Sequence, residues 1–193
     1  MGLLATLLLA VLLAARGGTP PSEPLCIHIT DQAPVPTATL QKAIQTARGV
    51  FVKAGIETNW TMRHPDVSYF LQPGELGLSI INESHRPQDT DSTCGLTLRS
   101  KQRGKKLGVK IDIFYKPIQA TATRTAYDPS ILLGMVMAHE IGHFFGLDHC
   151  SSGIMYPDFK KPDLMKAAAG LQTFADPQAE KLRKAIAEWK SLP

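Results

Sequence analysis

The sequence predicts an α+β domain. Two observations carry this reading. Five short segments with β character fall before residue 116, and longer stretches of apolar residues at helical spacing stand between and after them. The composition agrees, being 44% hydrophobic and 20% charged, and the chain beyond its first residues is long enough to bury a core without disulfide staples.

Taken in order, Leu25–Thr30 alternates and reads as the first strand. After Pro34 and Pro36 a helix begins, with Thr37 or Thr39 as its cap. Leu40, Ile44, Ala47, Phe51 and Ala54 form its apolar stripe, and Gly55 ends it. Glu57–Arg63, Leu76–Glu83, Gly95–Arg99 and Val109–Tyr115 read as strands two to five. A second main helix starts at Asp128-Pro129-Ser130, a capping sequence with proline at the first turn, and carries Leu132, Met135 and Val136 on its core face. Lys160–Phe174 is expected to be a loop. Asp176 is expected to cap a last helix whose stripe of Leu182, Ala185, Ile186 and Trp189 packs on the domain.

The second main helix carries His139-Glu140-Ile141-Gly142-His143, followed by Gly146 and His149. Residues i and i+4 share one helix face, so His139 and His143 are placed to hold one metal ion, with Glu140 beside it. Gly146 can adopt the left-handed conformation that stops a helix and lets the chain return with His149. Three neutral imidazoles suit zinc and leave one coordination position open, as catalytic zinc sites do. A lone HExxH arises by chance fairly often; the third histidine at this distance makes the metal reading the stronger one.

Downstream, Cys150-Ser151-Ser152-Gly153-Ile154-Met155-Tyr156-Pro157 is a tight turn carrying a methionine. With HExxHxxGxxH, it resembles the metzincin zinc peptidases, and the Ile-Met-Tyr-Pro wording is most similar to the matrixin branch. The resemblance rests on residues 128–159. It implies a twisted, mostly parallel five-stranded sheet with an antiparallel edge strand, two main helices and a small C-terminal part with a helix. It implies His139, His143 and His149 as zinc ligands, Glu140 as general base and Met155 as an apolar floor. The edge strand Gly95-Leu96-Thr97-Leu98 would pair with an extended protein or peptide substrate, or be an ordinary edge strand. Tyr156 and Pro157 would wall the pocket for an apolar residue after the cut bond. The tyrosine that some metzincins carry two residues after the turn methionine, as a transition-state donor, is missing, so Tyr156 receives no catalytic role. The matrixin stretch for a second, structural zinc is not recognisable. His85, Asp89 and Asp91 could bind zinc or calcium there, but a solvated loop is the better reading.

Residues 1–17 read as an export signal. Gly2–Ala15 is apolar but shorter than the roughly 20 residues of a spanning helix, and Ala15-Arg16-Gly17 offers a cleavage site. Residues 18–193 then form one domain, with 18–149 as its upper part and 150–193 holding the methionine turn and last helix. A secreted or periplasmic monomer is expected, without stable membrane insertion after cleavage. No propeptide fits between signal and first strand, so the enzyme is expected to be active once folded or restrained by a separate protein. The net charge of +4 is modest. Lys101, Arg103, Lys105, Lys106 and Lys110 cluster at one hairpin without any nucleic-acid motif, so no nucleic-acid partner is expected. Export would favour one disulfide among Cys26, Cys94 and Cys150. Cys94–Cys150 is the preferred pair, with Cys150 as a zinc ligand the alternative.

Overall fold

The computed structural model describes residues 23–65, 71–72, 74–86, 93–102 and 105–191, and the side chains of 99–109 are not described. The export segment, Asp89 and Asp91 of the polar loop, and Arg103 and Gly104 of the basic hairpin therefore lie outside the described residues.

Five strands form one sheet: β1 (Leu25–Asp31), β2 (Thr58–Arg63), β3 (Glu75–Ile81), β4 (Gly95–Gln102) and β5 (Lys105–Phe114), in the order β2-β1-β3-β5-β4. β1 runs parallel to β2 and β3, β3 parallel to β5, and only the edge strand β4 is antiparallel. This is the expected mostly parallel sheet. Alternation sends Ile27, Ile29, Leu76, Leu78, Ile80, Ile111 and Ile113 to one face, where all are buried. The first crossover is the helix α1 (Thr37–Lys53), and its Ala43, Ala47 and Phe51 are fully buried.

Among the described residues there are five helices: the two main ones and the terminal one the sequence suggested, and two more. α2 (Tyr115–Thr125) follows β5 without a loop, where the sequence suggested no element. Its threonines lower helix propensity, yet Tyr115, Ile118 and Ala122 are buried at helical spacing, and this packing prevails. α4 (Lys161–Ala168) occupies the stretch expected as a loop and buries only Leu164 and Ala167, too short a stripe to stand out. α3 (Pro129–Phe144) begins as expected, with the Asp128 side chain accepting from the Ser130 N–H. Two capping expectations are corrected. Pro36 precedes α1 without a side-chain cap, and Asp176 is the first residue of α5 (Asp176–Lys190) rather than its cap. α5 packs as expected, with Leu182 and Ile186 buried and Trp189 standing edge-on to Phe144 at 5.1 Å.

α3 is the central rod, with every residue from Leu132 to Gly142 buried. It lies against α1 at Gly134, where a Cβ would overlap the Ala43 carbonyl oxygen and come within 2.6 Å of Thr46 Cβ. Gly134→Ala is therefore expected to lower stability by about 1–3 kcal/mol from overpacking. That outweighs the helix-propensity gain of about 1 kcal/mol. The urea midpoint should fall; a raised midpoint would show that α1 and α3 do not approach this closely.

Candidate metal centre

Three imidazoles meet at the C-terminal end of α3. The Nε2 atoms of His139, His143 and His149 lie 3.0, 3.1 and 3.2 Å apart pairwise. Among the described residues they are the one group of three or more His, Cys, Asp or Glu side chains placed to share a metal ion.

Two of the tautomers are decided by backbone carbonyls, which can only accept. His139 Nδ1–H donates to Ile154 O and His143 Nδ1–H donates to Leu147 O, both at 2.8 Å. Each neutral ring then turns an unprotonated Nε2 inward. Two lone pairs facing at 3.0 Å without a proton between them repel, and a cation among them turns the repulsion into ligation. Burial holds His139 down at about 4, so it is neutral at pH 7, the form a metal ligand requires. The donor set is nitrogen only, with a spacing and softness that suit zinc.

The chain downstream of α3 builds this arrangement. Gly146 turns the chain at φ +87°, a left-handed conformation, and the Leu147 N–H closes onto Gly142 O at 3.0 Å. His149 returns on the loop that follows. Cys150 N–H donates to Met155 O, closing the methionine turn and presenting Ile154 O to His139. Met155 is fully buried, and its sulfur sits where a Cβ on Gly142 would stand, directly under the helix that bears the ligands.

α5 secures the loop, a contribution that sequence reasoning missed. Gln178 Nε2 donates to Asp148 O at 2.9 Å, and its Oε1 accepts from the Cys150 thiol at 3.1 Å. One side chain thus holds both neighbours of His149. Lys181 Nζ donates to Gly146 O at 2.7 Å. The expected Cys94–Cys150 bridge is not formed: all three cysteines are thiols, and that of Cys150 points to Gln178 and Ser152 O. No sequence spacing announces Gln178, because its partners are backbone atoms 30 residues away.

The imidazoles open into a cleft of about 700 Å³. It is lined by residues 93–97 at the start of β4, by Leu132 and Val136 of α3, and by Pro157–Phe159 after the methionine turn. Phe159 stands edge-on to His139 at 5.7 Å. Gly95, Leu96, Thr97 and Pro157 border the cleft. Leu98 and Tyr156 do not: Leu98 lies further along β4 toward the hairpin, and the Tyr156 ring faces Lys160 Nζ at 5.8 Å. Glu140 is buried beside the ligands, and Thr97 Oγ1 lies 2.8 Å from its Oε2. Burial pushes Glu140 up to about 7, partly offset by the Thr97 hydrogen bond. Burial also pushes the Cys94 thiol up to about 11, so it is no thiolate near neutral pH.

Residues 83–151 match the family model described as zincin-like metallopeptidase. The match covers the stretch from the end of β3 to the return loop, just over a third of the chain. No curated protein compared with the chain matches it. Together the match and the three-histidine cluster support a zinc-dependent peptidase of the zincin type.

Zinc at about 100 times its dissociation constant should stabilise the fold by about 2.7 kcal/mol. Alanine at His139, His143 or His149 should remove that response in thermal unfolding. Gln178→Ala should leave a folded protein whose zinc affinity by calorimetry is about 10-fold weaker. Unchanged affinity would mean that His149 is held without α5.

Proposed function

We propose that this protein is an exported zinc endopeptidase of the metzincin type, closest to matrixins, acting on extended protein or peptide chains. The observation that carries the reading is the convergence of three imidazole Nε2 atoms beside a buried glutamate in an open cleft. The fully buried Met155 beneath the histidines supports the metzincin assignment.

His139, His143 and His149 would hold one zinc ion. Bound there, zinc supplies Lewis acidity toward a water molecule and a carbonyl oxygen. Glu140 takes one proton from the attacking water and delivers it to the leaving amine as the C–N bond breaks; the water oxygen and its second proton stay on the new carboxyl group, which then ionises to solvent. Its burial suits that exchange, because a base poised near neutrality both accepts and returns a proton. β4 is the sheet edge, with β5 its one strand partner in the sheet, and its course along the cleft suits β-augmentation by an extended substrate. Leu132, Val136, Pro157 and Phe159 give the cleft apolar walls, which favours an apolar residue after the cut bond. Tyr156 is left out of this pocket.

Mass spectrometry of a diverse peptide library should show internal cleavage with apolar residues after the cut bond. Glu140→Ala should reduce the rate by roughly 10²–10⁴-fold while zinc content stays at one equivalent. Zinc-loaded, folded wild type that cuts no peptide would overturn the endopeptidase reading, leaving a zinc-binding protein or an amidase acting on a non-peptide amide.

A further inference from the structure

The start of β4 lies against the Glu140 carboxylate. Thr97 Oγ1 lies 2.8 Å from Oε2 and 2.9 Å from the main-chain oxygen of the same residue. Two residues earlier, Gly95 has no side chain to offer. A Cβ there would stand 2.7 Å from Glu140 Cγ and 2.8 Å from Oε1. Strand alternation places residues 95 and 97 on one face. Their partners across the ladder, Ile113 and Ile111, are fully buried, so this is the face toward the helices. The glycine-leucine-threonine spacing therefore forms a cradle, with an open place for one carboxylate oxygen and a hydroxyl for the other.

Resting on the peptidase reading above, we propose that Thr97 is a positioning residue that holds the Glu140 carboxylate in its working orientation through its hydroxyl. Thr97 acts on the glutamate rather than on the substrate. A hydroxyl suits the task because it carries one proton and two lone pairs. It donates to Oε2 of the carboxylate. Once that oxygen carries a proton, the hydroxyl accepts from it and donates to the Glu140 main-chain oxygen instead. The contact survives both halves of a proton exchange, and no bond to carbon changes at Thr97. A valine has the same shape and neither capacity. The strand offered to substrate by its backbone thus serves the base by its side chains.

Thr97→Val and Thr97→Ser test this by two readouts. With peptide substrate, Thr97→Val should lose about 10-fold in kcat, the scale of one hydrogen bond. KM should stay within about 2-fold, since only chemistry after binding is affected. Zinc content should stay full, and Thr97→Ser should recover most of the loss. Independently of activity, the Glu140 carboxyl resonance in protein labelled with ¹³C-glutamate, assigned by its loss in Glu140→Gln, should move in Thr97→Val and return in Thr97→Ser. A resonance that stays in place, an unchanged kcat, or a change in KM alone overturns the proposal. Should Thr97→Val not fold, Thr97→Ala removes the hydroxyl without adding a methyl group and gives the same two readings. Should the wild type cut no peptide, the peptidase reading fails, and the resonance still decides whether Thr97 orients Glu140.

Discussion

Two hydrogen bonds from imidazole Nδ1 to backbone carbonyls are the constraint on which the centre depends. Ile154 O and Leu147 O decide the tautomers of His139 and His143, and with them the direction in which the Nε2 lone pairs point. Each carbonyl is itself supplied by a turn downstream of the helix: the Gly146 turn brings Leu147 back, and the methionine turn presents Ile154. A short motif on one helix would place two ligands but would not orient them. The residues after α3 do the orienting, and α5 holds those residues through Gln178 and Lys181.

The rest of the fold serves the position of one rod. α3 is buried along nearly its whole length, packed against both the sheet and α1, with glycines where neighbours come closest: Gly134 against α1 and Gly142 against Met155. Burying a helix that carries two histidines and a glutamate is costly unless those groups find partners. Here they do. The histidines have backbone carbonyls and, when loaded, a metal; Glu140 has Thr97. Desolvation also keeps His139 neutral and pushes the Glu140 carboxyl up to about 7, which suits the proton exchange proposed for it.

Much of this was legible in the sequence, and what was missed has physical reasons. Short segments of β character, the first of them alternating, marked all five strands to within a few residues at most ends; the exceptions were the hairpin ends of β4 and β5, which extend further. The HExxHxxGxxH spacing located the three imidazoles because it is helical geometry written in residue numbers. α2 was missed because its threonines favour strand, although Tyr115, Ile118 and Ala122 carried a readable helical stripe. α4 buries only two side chains and offers too little pattern. Thr97 was read as a substrate contact through its backbone, and its bond to Glu140 spans 43 positions with no local signature. The cysteine pairing failed for a related reason: parity and compartment arguments say nothing of where a thiol points, and that of Cys150 points to Gln178.

Three histidine nitrogens, and no sulfur, are placed to meet one ion. Zinc K-edge X-ray absorption of the loaded protein tests this most directly. It should show a four-coordinate site with three imidazole nitrogens and one further light ligand at about 2.0–2.1 Å. A sulfur scatterer at about 2.3 Å would mean that Cys150 displaces His149, contradicting the centre described here. Loss of the multiple-scattering signature of three imidazoles would contradict it equally.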